Sequence, residues 1–342
     1  MKDVAQCHES IDYFIDNALI KYPNGKITNI NTDNTKRDEN FCIFIMTFGR
    51  ADKIKTYKTL MEYEGTSLNQ DFYLICSDDD KQLDNYIELY GDRVLVFNKK
   101  KMIPALDKAD NFEKYNVILY ARNICFAFAK KLGYRYFVEL DDDYDIFSQR
   151  IFYGNEDPSK AKKLYMKKIK DYDRLFRIHL DFLKSTPCKT ITMAQHGDFI
   201  GGVGNGNALR GWQRKVMNSF FCDVEDPFQF EGTINEDVNY YTQSGRLGIL
   251  NFNLFGYSLN QETTQASSGG MTEQYLSGGT YLKSFYSILF SPSSVTIGKI
   301  SHGVNARMHH RVNNNYSYVK ILDEKYSKNI MDEDGKDLDD LF

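Results

Sequence analysis

Residues Tyr134–Asp143 read YRYFVELDDD, an aromatic and aliphatic run that passes directly into three aspartates. The run has the composition of a buried β-strand, and its length of a few residues is that of a strand rather than a helix. Upstream, Tyr115–Gly133 places Val117, Tyr120, Ala121, Ile124, Phe128 and Leu132 at helical spacing. Further upstream the same alternation recurs. FCIFIMTF (Phe41–Phe48) is a strand ended by Gly49-Arg50, with a helical pattern from Ala51 to about Tyr63. DFYLICSDDD (Asp71–Asp80) is a strand that again meets acids, followed by a helix to about Tyr90, and RVLVFNK (Arg93–Lys99) is a further strand. Strands alternating with helices over the first 145 residues predict βαβ units, an α/β fold with a central, mainly parallel sheet flanked by helices. In open parallel sheets, ligands bind beyond the carboxyl ends of the strands. The stretches TFGR, CSDDD and ELDDDY are therefore expected around one crevice.

The second half is less regular. Lys160–Lys184 is predicted as a long lysine-rich amphipathic helix, and Thr190–Ala194 as a short strand. The Gly-rich stretch GDFIGGVGNGNALRG (Gly197–Gly211) follows, then a helix over Glu236–Thr242 and short strands near Gly248–Leu254. A Ser/Gly-rich loop (Ala266–Gly279) precedes HGVNARMHHR (His302–Arg311). The expected organisation is an N-terminal extension (1–40) with a possible helix Val4–Tyr22, one domain over 41–311, and a polar, acidic tail (312–342). The domain divides into a regular αβ half (41–145) and an irregular half (146–311).

Composition narrows the functional classes. With 43 Lys+Arg against 47 Asp+Glu, the formal charge is −4, so no global positive field marks a nucleic-acid binder. A local basic face is compatible with that balance, and Lys160–Lys184 is its best candidate, although a solvated helix face has the same pattern. The six cysteines have no CxxC or zinc spacing, and most lie in or beside apolar runs, as reduced core cysteines do. No apolar run approaches the roughly 20 residues of a membrane span, and MKDVAQCHESIDYF has no signal-peptide core. A soluble, cytoplasmic protein without a membrane partner is expected.

Several constellations bear chemistry. Asp141 and Asp143 lie one residue apart at a strand end, where extended geometry points both the same way, and two carboxylates so placed suit a hard divalent cation such as Mn²⁺ or Mg²⁺; a solvated acidic turn is the plainer alternative. Glycines such as Gly201 and Gly202 allow close backbone approach to a ligand, yet no Gly-Lys-Ser/Thr follows to make a phosphate loop. Glu236 and Asp237 open a helix, where acids also serve as caps. Arg50, Arg122 and Arg307 are candidate diphosphate partners through bidentate guanidinium contacts. His302 follows an apolar, strand-like run. Tyr240, Tyr241, Phe252 and Phe255 are candidate stacking groups, with core packing as the alternative. No Gly-x-Ser-x-Gly elbow or Cys-His pair supports a nucleophilic hydrolase.

Taken in order, these pieces resemble a glycosyltransferase of the GT-A fold, a Rossmann-like αβ architecture, over about Phe41 to Arg311. The motifs TFGR, YARN (Tyr120–Asn123), ELDDDY, GDFIGG and NEDV more narrowly resemble the TET/JBP-associated glycosyltransferases, found mostly in bacteriophages and thought to decorate hydroxymethylated pyrimidines in DNA. The resemblance implies a UDP-sugar donor near Thr47, Phe48, Arg50 and Asp78, with Asp142, Arg122, Gly201, Gly202 and Arg307 also on the donor side. It implies a metal on Asp141, Asp143 and His302, and an acceptor base at Asp237 or else Glu236. The implied acceptor is DNA containing hydroxymethylated bases. Competing readings are a glycan, polyol or protein acceptor, a nucleotidyltransferase, and a non-catalytic nucleotide-binding scaffold.

Overall fold

The computed structural model describes residues 1–26, 40–110, 115–154, 163–199, 215–261, 282–302 and 305–313, without the side chains of 300–307. Four strands, β2 (Phe41–Met46), β3 (Asp71–Ser77), β4 (Val94–Phe97) and β5 (Tyr136–Asp141), lie side by side and parallel in the order β4-β3-β2-β5. β2, β3 and β4 are buried throughout because both faces of the sheet are covered, which is why they read as unbroken apolar runs. Pleating sends Cys42, Phe44 and Met46 to one side, against α1 (Val4–Asn17), α4 (Lys99–Met102) and α5 (Leu119–Leu132). Phe41, Ile43 and Ile45 go to the other side, toward α2 (Lys55–Met61), α3 (Leu83–Tyr90) and α6 (Tyr172–Lys184).

The sheet continues beyond β5 through β9 (Phe220–Asp223), β8 (Thr190–Gln195), β10 (Asn251–Gln261), β6 (Tyr144–Tyr153) and β7 (Lys163–Lys168), with β1 (Leu19–Lys21) on the opposite edge beside β4. The pairings orient β2, β3, β4, β5, β7, β8 and β10 one way and β1, β6 and β9 the other. The sheet is therefore mostly parallel, the α/β plan expected from the alternation. A helix over 236–246, α7 (Glu236–Arg246), packs Val238, Tyr240 and Tyr241 into the α5 side of the core. β11 (Val295–His302) and β12 (Asn305–Val312) form a separate antiparallel pair.

Three sequence expectations change. Residues 163–168 are a strand, not the start of a helix: KLYMKK alternates across the pleat at the sheet edge, and only Tyr172–Lys184 is helical. β9 had no counterpart in the sequence reading, because four residues carry too little periodicity to register. The N-terminal segment is joined to the body: α1 is closed by a capping box from Asp3 and Gln6, and β1 pairs with β4. All six cysteines are free and buried. None of the described helices is long and apolar enough to cross a membrane.

Candidate active site

The parallel strands bring their carboxyl ends to one rim, where Met46 lies in register with Ile75 on one side and Asp141 on the other. The three aspartates after β5 then take three different sets of partners. Strand alternation ends at Asp141, because Asp142 and Asp143 form a turn rather than extended chain. The turn is pinned by α2: the Thr56 hydroxyl donates to the Asp141 carbonyl, the Thr56 N–H donates to the Asp142 carbonyl (3.2 Å), and Tyr144 N–H donates to Thr56 Oγ1 (2.9 Å).

Asp141 shares a face of β5 with Glu139, toward α5 and α7. There Arg122, 2% exposed, is enclosed by three carboxylates. Its Nε donates to Glu236 Oε1 (2.9 Å), Nη2 to Asp141 Oδ1 (3.2 Å), and Nη1 reaches Glu139 Oε2 (3.5 Å) and the Asn218 carbonyl (3.2 Å). Phe220 and Phe230 flank the guanidinium, their ring centres 5.1 and 5.7 Å from it. Burial opposes charge on Arg122, but Asp141, Glu236 and Glu139 outweigh it and hold the group protonated. The next residue, Asn123, ties down the chain that leads into α7, since its side chain both donates to the Phe230 carbonyl (3.1 Å) and accepts the Phe230 N–H (3.0 Å). The YARN stretch thus carries two structural polar groups. Arg122, expected at the donor diphosphate, is consumed by protein carboxylates.

Asp142 points the other way, to the TFGR turn. It accepts from Thr47 Oγ1 (2.8 Å) and from Arg50 Nη1 (2.9 Å). Because Thr47 spends its proton on Asp142, the Tyr86 hydroxyl donates to Thr47 (2.8 Å) and accepts the Arg50 N–H (2.8 Å). Gly49, at φ 71°, adopts the left-handed conformation. Its N–H donates to Asp80 Oδ2 (2.7 Å), and Gln82 brackets the turn by accepting the Ala51 N–H (2.8 Å) and donating to the Gly49 carbonyl (3.0 Å). Asp80, not Asp78, therefore shapes this turn: Asp78 is exposed and accepts from Asn98 (2.7 Å). The Phe48 ring lies under the ammonium of Lys99 (4.6 Å), which is buried and paired with Asp79 (2.8 Å).

Asp143 takes the third direction. Its Oδ2 accepts from Gln261 (3.3 Å), whose Oε1 accepts from Asn218 (3.2 Å), while its Oδ1 is buried without a hydrogen-bond partner among the described residues. Asp237 is buried beside Glu236, and its Oδ1 accepts the Val238 N–H (2.7 Å). Asn235, in the left-handed region at φ 57°, holds the N-cap position.

Six carboxylates (Glu139, Asp141, Asp142, Asp143, Glu236 and Asp237) thus converge with two arginines. Burial pushes Glu139 up to about 8, against the pull of Arg122. Burial also pushes Asp143 up to about 7 and Asp142 to about 6, with Asp141 adding to both shifts and Arg50 resisting both. Burial and Asp237 raise Glu236 to about 7, and burial raises Asp141 against Arg122. The cluster holds more negative charge than its arginines offset, which is the electrostatic condition for accepting a cation. Among the described residues no group of three His, Cys, Asp or Glu side chains forms a ready metal cage. The donor set includes a buried oxygen without a partner among the described residues, Asp143 Oδ1, whereas Asp141 Oδ1 is engaged by Arg122.

Gly201 and Gly202 lie outside the described residues. His302 ends β11 at the tip of its hairpin, and Arg307 lies on β12, but the side chains of both lie outside the description. The aromatic candidates are core groups: Tyr240 stacks on Phe228 (4.2 Å), Phe255 packs on Phe199 (4.5 Å), Phe252 meets Phe182 edge-on (5.9 Å), and Tyr241 is buried. Sequence reasoning missed Glu139, Tyr86, Asp80, Gln82 and Gln261. Only Asp80 carried a signal, as the last acid of CSDDD.

The chain resembles several solved structures distantly. One is the mannosyltransferase PcManGT from Pyrobaculum calidifontis in complex with GDP-Man and Mn²⁺, at 8% identity and a TM-score of 0.40, covering 77% of this chain and 65% of that one, just under two thirds of its length. Another is glucosyl-3-phosphoglycerate synthase from Mycobacterium tuberculosis in complex with Mg²⁺ and UDP, at 9% identity and a TM-score of 0.40, covering 90% of this chain and 92% of that one. Comparison with curated proteins finds no sequence match. Residues 41–270, about two thirds of the chain, match the TET-Associated Glycosyltransferase family, and the protein belongs to that family of glycosyltransferases.

Proposed function

We propose that the protein moves a glycosyl group from a UDP-sugar to the hydroxyl of a 5-hydroxymethylpyrimidine in DNA, within the host cytoplasm if the gene is phage-borne. The observation that carries the reading is the crowding of six carboxylates against two arginines at the carboxyl ends of β2 and β5. Asp141 and Asp143, with His302, are the residues that would hold a divalent cation, Mn²⁺ or Mg²⁺. When bound, that cation supplies charge neutralisation for the departing nucleoside diphosphate.

The chain's own groups divide the remaining work. Thr47, Phe48, Gly49 and Arg50 form the donor-side turn, and Gly201 and Gly202 are assigned to the donor as well; Arg50 has a buried Nε without a hydrogen-bond partner among the described residues, a donor for a diphosphate oxygen. Arg307 is a second candidate for that charge. Asp142 fixes Arg50 and Thr47. Asp237 is assigned as the base: it accepts the acceptor hydroxyl proton as the new bond forms to the anomeric carbon and the bond to the diphosphate breaks. Glu236, engaged by Arg122, is a positioning residue that sets the start of α7. The target base would have to leave the duplex to reach this rim, because its hydroxymethyl group must approach a buried carboxylate. Residues 41–145 would form the donor half and 146–311 the acceptor half.

Mass spectrometry of nucleosides from hydroxymethylated DNA, incubated with the protein, Mn²⁺ and a panel of UDP-sugars, tests the proposal. A mass gain of one sugar on the modified nucleoside is expected. Gain on glycans or proteins alone would overturn the acceptor assignment.

A further inference from the structure

We infer that a basic groove between β7, β6 and α6 is the docking surface for the phosphodiester backbone of the DNA strand that flanks the target base; this rests on the reading of the acceptor as DNA. The groove has a volume of about 370 Å³ and is lined by Gln149, Lys167, Lys168, Lys170, Arg174 and Tyr257, among others. Its floor follows from strand register: Lys167 pairs with Gln149 and Gln149 with Tyr257, so the three form one row across β7, β6 and β10. Its wall is the first turns of α6, which contribute Arg174.

The charge balance is one-sided. Among the described residues, four cations line the groove against a single acid, Asp171, and that acid is spent capping α6, its Oδ1 accepting the Arg174 N–H (2.9 Å). Lys170 donates to the Glu64 carbonyl (3.3 Å), and Lys168 sits over the Tyr63 ring (4.7 Å). Lys167 and Arg174 are exposed and make no ion pair with the described residues. In a chain of net charge −4, this concentration is a local departure from the average.

Lysines on an edge strand also discourage edge-to-edge pairing of sheets. That role needs charge along β7 alone. It does not require an arginine from a helix to converge with them over a floor of Gln149 and Tyr257, groups that hydrogen-bond phosphate oxygens. Exposed Tyr153 and Tyr165, edge-on at 5.9 Å, extend the surface with rings on which an unpaired base can stack. Position favours the same partner. β6 runs from the aspartate turn to the groove, and the six residues from Asp143 to Gln149 span about 20 Å, a distance that about six nucleotides of duplex cover.

The test is the salt dependence of binding, by fluorescence anisotropy, of a duplex containing 5-hydroxymethylcytosine and of its unmodified counterpart, to wild type and to Lys167→Glu/Arg174→Glu. The double variant is expected to bind both duplexes at least about tenfold more weakly, with a log K against log [salt] slope shallower by about 2, one for each lost phosphate contact. Its donor hydrolysis without DNA should match wild type. Lys167→Gln/Arg174→Gln should show the same direction with a smaller loss. Unchanged affinity and slope, in a variant that still glycosylates hydroxymethylated DNA with the wild-type KM, would overturn the groove and leave the acceptor assignment standing. A wild type that turns over donor onto another acceptor and binds no DNA would overturn both. Binding of phosphatidylserine vesicles in place of DNA, lost in the same variant, would also overturn the inference.

Discussion

The rim beyond β2 and β5 and the outer edge at β7 carry opposite charges, and they carry them in opposite physical states. At the rim, carboxylates are buried against one another around Arg122 and Arg50, and burial drives several of them toward protonation. At the edge, lysines stand largely in water on KLYMKK. A buried charge is expensive unless paired, whereas an exposed one contributes little to stability. The rim is therefore where substitution should be felt by both fold and chemistry, and the edge where it should be felt by binding alone.

The largest expected effect is chemical. Asp237→Asn should lower kcat by roughly 10²–10⁴, the range for losing a general base, without a matching rise in donor KM; steady-state kinetics with the DNA acceptor checks this, and an unchanged kcat would move the base elsewhere. Next is the centre of the rim. Arg122→Met leaves Asp141, Glu139 and Glu236 without their shared cation, and breaking a buried pair in this way costs about 3–5 kcal/mol. Denaturant unfolding should show a lower midpoint, and a fall of under about 1 kcal/mol would mean that the acids protonate at little expense.

The rim should also make stability fall as pH rises. Unfolded carboxyls titrate near 4, whereas Asp142, Asp143, Glu236 and Glu139 hold their protons up to about 6, 7, 7 and 8. Between those limits the folded state binds more protons than the unfolded one, so the metal-free protein loses stability on going from about pH 5 to about pH 8. Thermal scans in EDTA should give the higher Tm at the acid end; the reverse order would contradict the crowding. A smaller effect is expected at the donor turn, where Tyr86→Phe leaves the Arg50 N–H and Thr47 short of a partner, at about 1 kcal/mol. The smallest belongs to the edge: Lys167→Ala should change unfolding free energy by no more than about 0.5 kcal/mol.

The same contrast decides what was legible in the sequence. β2 to β5 were readable because burial on both faces leaves continuous apolar runs, and the acidic ends of β3 and β5 marked the rim. Asp141 and Asp143 were placed at the rim that way, but the common direction expected of an extended chain does not hold, because the strand stops at Asp141 and the turn redirects the next two side chains. Glu139 was hidden inside VEL, where one acid in a strand reads as solvent-facing until Arg122 is seen beneath it. Tyr86 lies 39 residues from Thr47, and no local pattern announces that contact. At the edge, the lysines of Lys163–Lys168 suit a helix as readily as an exposed strand, so the periodicity pointed to the wrong element and only the charge was read correctly.

The most direct measurement is donor turnover by wild type and Asp143→Asn, each with Mn²⁺, after EDTA, and after Mn²⁺ is restored. The account predicts that wild-type turnover falls by at least about 10²-fold in EDTA and returns with Mn²⁺, while Asp143→Asn stays low throughout. Turnover that is indifferent to EDTA and unchanged in Asp143→Asn would contradict it.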